Sequence, residues 1–446
     1  MSRLKIAVVG AGVAGLGAAW LLARRHDVTL FEREPRLGGH ANTVDVATPQ
    51  GALPIDTGFI VYNTQCYPNL IALFDHLEVA TAPSRMSFAV SLDGGAYEYS
   101  GSGARGLFGQ PANLVSADHW RMVRDILRFF REARALEENA AHPTTSLGAW
   151  LDQRGYSQAF VDRHILPMAA AIWSAPKREM LGYPAATFTR FFANHGLLQV
   201  RNRPQWRTVA GGSRAYVARV KNDFGGTIVA GDPVTRVLRT GTGVTISTAG
   251  GHRAEFDRCL IATHADEALA LLGGAATADE TRILASFRYQ PNTAILHDDP
   301  SHMPKRRRLW ASWNYMGQPA SDHLSVSYWM NALQPLAART DYFVTLNLGR
   351  VIDPSRVHGK FTYTHPIYDA AAIAAQRALW QLQGTRSIWF AGAYFAYGFH
   401  EDALQAGLAA AEDMGNVRRP WRIPDQSSRL QDVVGVDGNS RAEAAQ

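Results

Sequence analysis

The sequence predicts an α/β fold in which a parallel-sheet domain is interrupted by inserts that form a second, α+β domain. Three observations predict it. Residues 5–32 read strand, glycine turn, helix, strand. Short apolar runs of strand character return at 227–262 and again at 387–393, the last followed by a glycine turn and a helix to Met414. The stretches between them carry helical and strand patterns of their own.

The first unit is the most specific. Ile6 to Ala23 is eighteen residues without a charge, preceded by Arg3 and Lys5, a length and flank that mimic a signal or membrane anchor. Glycines at 10, 12 and 15 argue against both, because a merely apolar core has no use for so much backbone freedom. Lys5-Ile-Ala-Val-Val9 instead reads as a buried strand, Leu16–Arg25 as a helix and Val28–Phe31 as a second strand. In this βαβ unit Gly10 permits the tight turn, Gly12 lets a pyrophosphate approach the backbone, and Gly15 lets the helix pack closely on the sheet. Glu32, twenty-two residues after Gly10, is placed to bind a ribose.

Farther along, Glu34-Pro-Arg-Leu-Gly-Gly-His40 and Ile55-Asp-Thr-Gly-Phe59 are followed by a helical region from Pro111 to Leu198, punctuated by Pro143, Pro167, Pro176 and Pro184. Strands are expected at 227–229, 234–238, 244–247 and 258–262, then at 294–297, 309–314, 324–329 and 342–348. The expected division is a discontinuous nucleotide domain at 1–80, 205–266 and 385–420, a substrate domain at 81–204 and 267–384, and a polar tail at 421–446.

At 446 residues and 46% hydrophobic composition the chain has room for substantial cores. Its formal charge of +6 is only modestly basic, and no nucleic-acid motif accompanies it. Cys66 and Cys259 lie far apart, which speaks against a disulfide scaffold and fits a cytoplasmic protein. No metal-ligand or serine–histidine–acid spacing offers a rival chemistry.

With these residues in place, the chain resembles the flavin-dependent amine oxidases and the related desaturases of carotenoids, porphyrinogens and lipids. The resemblance rests on Val8-Val-Gly-Ala-Gly-Val-Ala-Gly-Leu16 with Glu32, on Arg36-Leu-Gly-Gly39, on Asp56-Thr-Gly58, on Val209-Ala-Gly-Gly-Ser213 and on Phe390-Ala-Gly392. It implies a Rossmann-like FAD-binding domain of the amine oxidase type with an inserted substrate domain. It places FAD, held non-covalently, on Gly10, Gly12, Ala14, Gly15, Glu32, Arg33, Gly38, Gly39, His40, Thr57, Gly58, Phe59, Val234, Ala262 and Gly392. His40 stands where many relatives carry arginine, and Ala393 where many carry an acidic residue. A replacement is expected at Gly398-Phe-His-Glu-Asp402, where Gly398, Phe399, Glu401 and Asp402 would aim a helix N-terminus at the flavin.

Trp310-Ala-Ser-Trp-Asn-Tyr315, Tyr328-Trp-Met-Asn331 and His365-Pro366 resemble a bacterial branch that includes the flavin desaturase of methylated fatty acids in furan fatty acid synthesis. That branch implies a hydride moved from a hydrophobic or lipid substrate to flavin N5, with Tyr62, Trp313, Asn314, Tyr315 and His400 as expected catalytic residues. Those aromatics equally suit a strand core, and His400 a helix cap. Amine oxidation, flavin-dependent isomerisation and a non-catalytic accessory role are the alternatives. The segment 119–134 reads as an amphipathic helix, with Trp120, Met122, Val123, Ile126, Leu127, Phe129, Phe130 and Ala133 on one arc and Arg121, Arg124, Asp125, Arg128, Arg131 and Glu132 on the other. It either packs on its own domain or lies in an anionic membrane surface, with Lys305 to Arg308 as a second basic contact.

Overall fold

The computed structural model describes residues 3–138, 145–173, 176–199, 203–317, 325–424 and 426–430. Lys5–Val9 is the middle strand of a five-stranded parallel sheet, flanked by Asp27–Glu32 on one side and Arg258–Ile261 on the other. Thr227–Ala230 and Ile388–Phe390 form its two edges. A parallel sheet is covered on both faces, and the central strands meet that demand with Ile6, Ala7, Val8, Leu260 and Ile261, all fully buried. The helix Val13–Ala23 crosses one face and meets the C-terminal helix His400–Gly415. A Cβ on Gly407 would lie 2.1 Å from the Ala14 carbonyl oxygen, so these helices touch backbone to backbone.

The second unit is a seven-stranded mixed sheet ordered Val357–Ile367, Arg288–His297, Phe343–Leu346, Ser325–Trp329, Trp313–Gly317, Phe88–Leu92, Tyr97–Ser100. Its helical layer comes from Ala117–Glu138 and the helices through Asn194, packed around Phe129, Phe160, Phe188 and Phe192. The expected strand at 309–314 starts only at Trp313, because Arg307–Leu309 forms a 3₁₀ turn that the Trp310 indole holds by donating to the Pro304 carbonyl at 2.7 Å. Val357–Ile367 was not anticipated. It is an edge strand, and its weak burial alternation hides the two-residue period.

Two expectations are corrected by packing. The polar tail does not begin at 421: Trp421 stacks on Trp20 at 5.9 Å, Leu430 is buried, and buried Arg429 pairs with Asp402. Residues 431–446 lie outside the described residues. Asp125, assigned to the solvent arc of its helix, is buried and accepts the Ser157 amide at 2.9 Å. Phe129 faces the helical core, whereas Trp120 and Leu127 are half exposed. Arg306 and Arg307 are tied to Glu98 and Asp341, each at close range. Among the described residues no helix is long and apolar enough to cross a membrane.

Candidate active site

A cavity of about 1050 Å³ runs from the glycine turn of the parallel sheet into the seven-stranded sheet and its helices. At its first end the three glycines of the turn have different reasons to be glycine. Gly10 has φ +98° and would place a Cβ 2.8 Å from the Ala262 carbonyl oxygen; on Gly15 a Cβ would lie 1.8 Å from the Gly10 carbonyl oxygen. Gly12 has φ −67°, and a Cβ there meets nothing within 4 Å. The protein's own backbone therefore demands the first and third glycines, while the second leaves open space at a helix N-terminus facing the cavity. That cradle fits a pyrophosphate.

Glu32 flanks it with a carboxylate fixed by the Ala11 amide at 2.7 Å and the Glu34 amide at 3.0 Å. Gly39 and Gly58 fold tightly beneath: a Cβ on Gly58 would lie 2.1 Å from the His40 carbonyl oxygen. The His40 ring sits among Tyr363, His365 and His264, with centroids 5.2, 5.6 and 6.0 Å away. Burial and these neighbours hold its pKa well below the ordinary histidine value, and its Nε2 is buried without a hydrogen-bond partner among the described residues. A neutral imidazole with an unused nitrogen in the cavity wall fits a polar atom of a bound dinucleotide. Ala14, Arg33, Gly38, Thr57, Phe59, Val234, Ala262, Gly392, Gly398 and Phe399 line the same cavity. Arg33 is at the exposed rim and pairs with Glu267 at 2.7 Å. The Thr57 hydroxyl is engaged by Tyr363 at 2.7 Å.

His400 lines the cavity with its ring stacked on Phe59 at 3.8 Å and Nε2 2.7 Å from the Tyr216 hydroxyl. Burial pushes its pKa down to about 3. Beneath the turn, buried Asp56 accepts from Thr43 at 2.6 Å, the Ser213 amide at 2.8 Å and Gln334 at 2.9 Å. It thereby ties Asp56-Thr57-Gly58 to the Gly211-Gly212-Ser213 turn, although its own carboxylate is outside the cavity lining.

Five expected site residues sit elsewhere. Glu401 accepts the Asn69 and Leu70 amides at 3.0 and 2.9 Å, capping the helix Pro68–His76 rather than facing a ligand. Asp402 accepts the Phe399 amide at 2.8 Å, capping its own helix, and pairs with Arg429. Asn314 points away from Trp313, as alternate residues of a strand must, and closes a turn by donating to the Ala311 and Ser327 carbonyls. Tyr315 shares the Trp313 face but is covered, with Lys177 Nζ 5.7 Å from its ring centre. Tyr62 is buried against Tyr67 and Phe74. Trp313 does reach the cavity, edge-on to Tyr328 at 5.0 Å.

Sequence reasoning missed His195. It ends the helix Ala185–Asn194, where its Nδ1 donates to the Phe191 carbonyl at 3.0 Å. That bond fixes the tautomer, so Nε2 is a bare acceptor; it has no partner among the described residues, and the residue lines the cavity. Burial pushes its pKa down to about 3. A lone histidine in a helical stretch gives no signal of this kind, since the bond that sets its tautomer is a feature of the folded turn.

A parallel sheet with an open glycine turn at a helix N-terminus, a fixed carboxylate beside it and a deep cavity running on into the second sheet is the arrangement of a dinucleotide-binding fold. The chain belongs to the flavin containing amine oxidoreductase family, whose model matches residues 13–297, and its cofactor is FAD. A relative from Mycobacterium tuberculosis, provisionally named flavin-containing monoamine oxidase AofH, is 26% identical over 339 residues, covering 72% of this chain and 69% of its own. An L-amino acid dehydrogenase from Synechocystis is 23% identical over 256 residues, covering 55% and 52%. Cyclohexylamine oxidase from Brevibacterium oxydans shares the fold with a TM-score of 0.69 at 15% identity, covering 93% of this chain and 99% of its own. The CLA-producing fatty acid isomerase from P. acnes does so with a TM-score of 0.67 at 15% identity and the same coverage.

Proposed function

We propose that this oxidoreductase desaturates an acyl chain or a similarly apolar substrate. The observation that supports the reading is the distribution of charge along the cavity. Its carboxylates, Glu32, Glu34 and Glu267, belong to the nucleotide end, while the far end is lined by Trp313, Tyr328, Phe88, Met168, Ile172 and Phe130. An ammonium group entering that far end meets no carboxylate, whereas methylene groups gain roughly 0.8 kcal/mol each on burial.

Bound FAD supplies a hydride acceptor at N5. The chain's own residues hold the substrate and exclude water: Trp313 and Tyr328 brace each other at right angles, and the aromatic walls orient a flexible chain without polar contacts. Loss of a hydride from one carbon carries off two electrons, and the neighbouring carbon must then release a proton to form the double bond. His195 Nε2 is the acceptor proposed for it. A weak base suffices, because a C–H bond beside an electron-deficient carbon is strongly acidic. Oxygen or a quinone is the class of acceptor that would take up the two electrons.

Anaerobic mixing with a methyl-branched or unsaturated phospholipid should bleach the oxidised flavin absorbance. Bleaching by amines and not by lipids would replace this reading with amine oxidation. Substrate converted with no acceptor consumed would make the enzyme an isomerase.

A further inference from the structure

Four of the five large hydrophobic side chains exposed among the described residues cluster in one fourteen-residue stretch: Leu114 at 55%, Val115 at 87%, Trp120 at 50% and Leu127 at 51%. At about 100° per residue, Trp120, Arg124, Leu127 and Arg131 fall within an arc of about 60° on the helix Ala117–Glu138. The neighbouring stripe, Val123, Ile126 and Phe130, lines the cavity, and the stripe beyond it, Met122, Phe129 and Ala133, is core. Leu127 is both half exposed and part of the cavity wall, so the outward stripe adjoins an opening.

The outward stripe is cationic as well as apolar. Arg124 and Arg131 on the stripe are exposed, as is Arg121 at its flank. Asp118 is matched by Arg121 at 2.7 Å and Glu132 by Arg128 at 2.9 Å; buried Asp125 lies 3.7 Å from Arg124, whose side chain is otherwise exposed. The Trp120 indole donates to the Leu114 carbonyl at 2.9 Å, which fixes the preceding turn against the helix.

We infer that this stripe and turn form a docking surface for an anionic lipid bilayer, set beside the opening through which an acyl chain reaches the cavity. Apolar side chains flanked by arginines match the boundary between acyl chains and lipid phosphates. The purpose of the surface rests on the acyl-chain reading; its existence does not.

The test is cosedimentation of the flavin-loaded, full-length protein with vesicles of equal parts phosphatidylglycerol and phosphatidylcholine. Binding should weaken with added salt and be much weaker on phosphatidylcholine alone. Arg124→Gln with Arg131→Gln should weaken it by roughly thirtyfold. Trp120→Ser with Leu127→Ser should weaken it at least about tenfold, and so should Val115→Asp, a variant outside the helix that leaves its packing intact. Val351→Asp, at an exposed apolar residue remote in sequence, should bind like the parent. The inference is overturned if the parent fails to cosediment, if all three stripe variants bind undiminished, or if the parent is a dimer that Val115→Asp converts to monomer, which would make the patch a self-interface. Vesicle binding without flavin bleaching leaves this surface standing and removes the desaturase reading; bleaching without vesicle binding does the reverse.

Discussion

His400 Nε2 lies 2.7 Å from the Tyr216 hydroxyl, and the imidazole is stacked on Phe59 in the cavity wall. Burial pushes His400 down to about 3, which favours the neutral ring, so the expectation is that it serves as a positioned wall rather than a proton donor. The expected kcat/KM profile shows no His400 ionisation between about pH 5 and 9. Tyr216→Phe should retain flavin and lose about 1–3 kcal/mol of stability, read by denaturant titration, because it leaves a buried nitrogen unpaired. A kcat/KM profile that loses an ionisation in His400→Gln would assign the proton transfer to His400.

Gly12→Val and Gly15→Val should behave differently. The first has open space and an ordinary φ, so the variant should fold and lack flavin; the second would drive a side chain into the Gly10 carbonyl oxygen and should fail to fold. Absorbance at the flavin band and circular dichroism on both variants separate ligand loss from structural loss. A yellow Gly12→Val protein would refute the pyrophosphate cradle.

FAD should come away on acid precipitation. Neither cysteine lines the cavity, and both are buried, with thiols pushed up to about 11 for Cys66 and about 12 for Cys259. The thiolate needed for a sulfur linkage is therefore suppressed. Flavin retained in the pellet would contradict this and direct attention to the cavity histidines.

Acid should destabilise the protein well above the carboxylate range. Burial pushes His164, His195, His297 and His400 down to about 3 and His365 down to about 4. Each folded value lies below the unfolded one, so the unfolded chain binds more protons below about pH 6.5. The stabilising contribution is complete above that pH and is lost as pH falls, at about 1.4 kcal/mol per pH unit for each histidine in its linear range. Asp56, raised to about 6 by burial, and Glu401, also raised by burial, act in the opposite sense but are two groups against five. Melting temperature of the flavin-loaded protein should fall steadily from pH 7 to pH 5; a flat profile would show that these histidines charge without unfolding.

Phe129→Ala should cost about 3–5 kcal/mol, because its ring is 1% exposed and packs on Trp150, Tyr156, Phe160 and Phe192. Trp120→Ala on the same helix, half exposed, should cost far less. Equal losses would mean that the outward stripe is also packed.

The sequence by itself determined the parallel-sheet unit, the glycine turn with Glu32, and the return of the last strand and helix. These rest on local constraints: strand and helix periods, a backbone angle only glycine adopts readily, and the closeness of Gly15 to the Gly10 carbonyl oxygen five residues before it. The tertiary structure alone decided which polar groups face the cavity. Glu401 was expected at the flavin because its position beginning a helix is visible locally, yet its partner Asn69 is 332 residues away and takes the carboxylate for another helix. Trp313, Asn314 and Tyr315 look alike as a strand motif, and only the helices packed over the sheet separate a cavity wall from a core. The same holds for the pairing of Asp402 with Arg429, the histidines around His40, and the bare Nε2 of His195. A side chain's hydrogen-bond partner is set by whatever segment the fold brings beside it, and spacing along the chain carries no record of that neighbour.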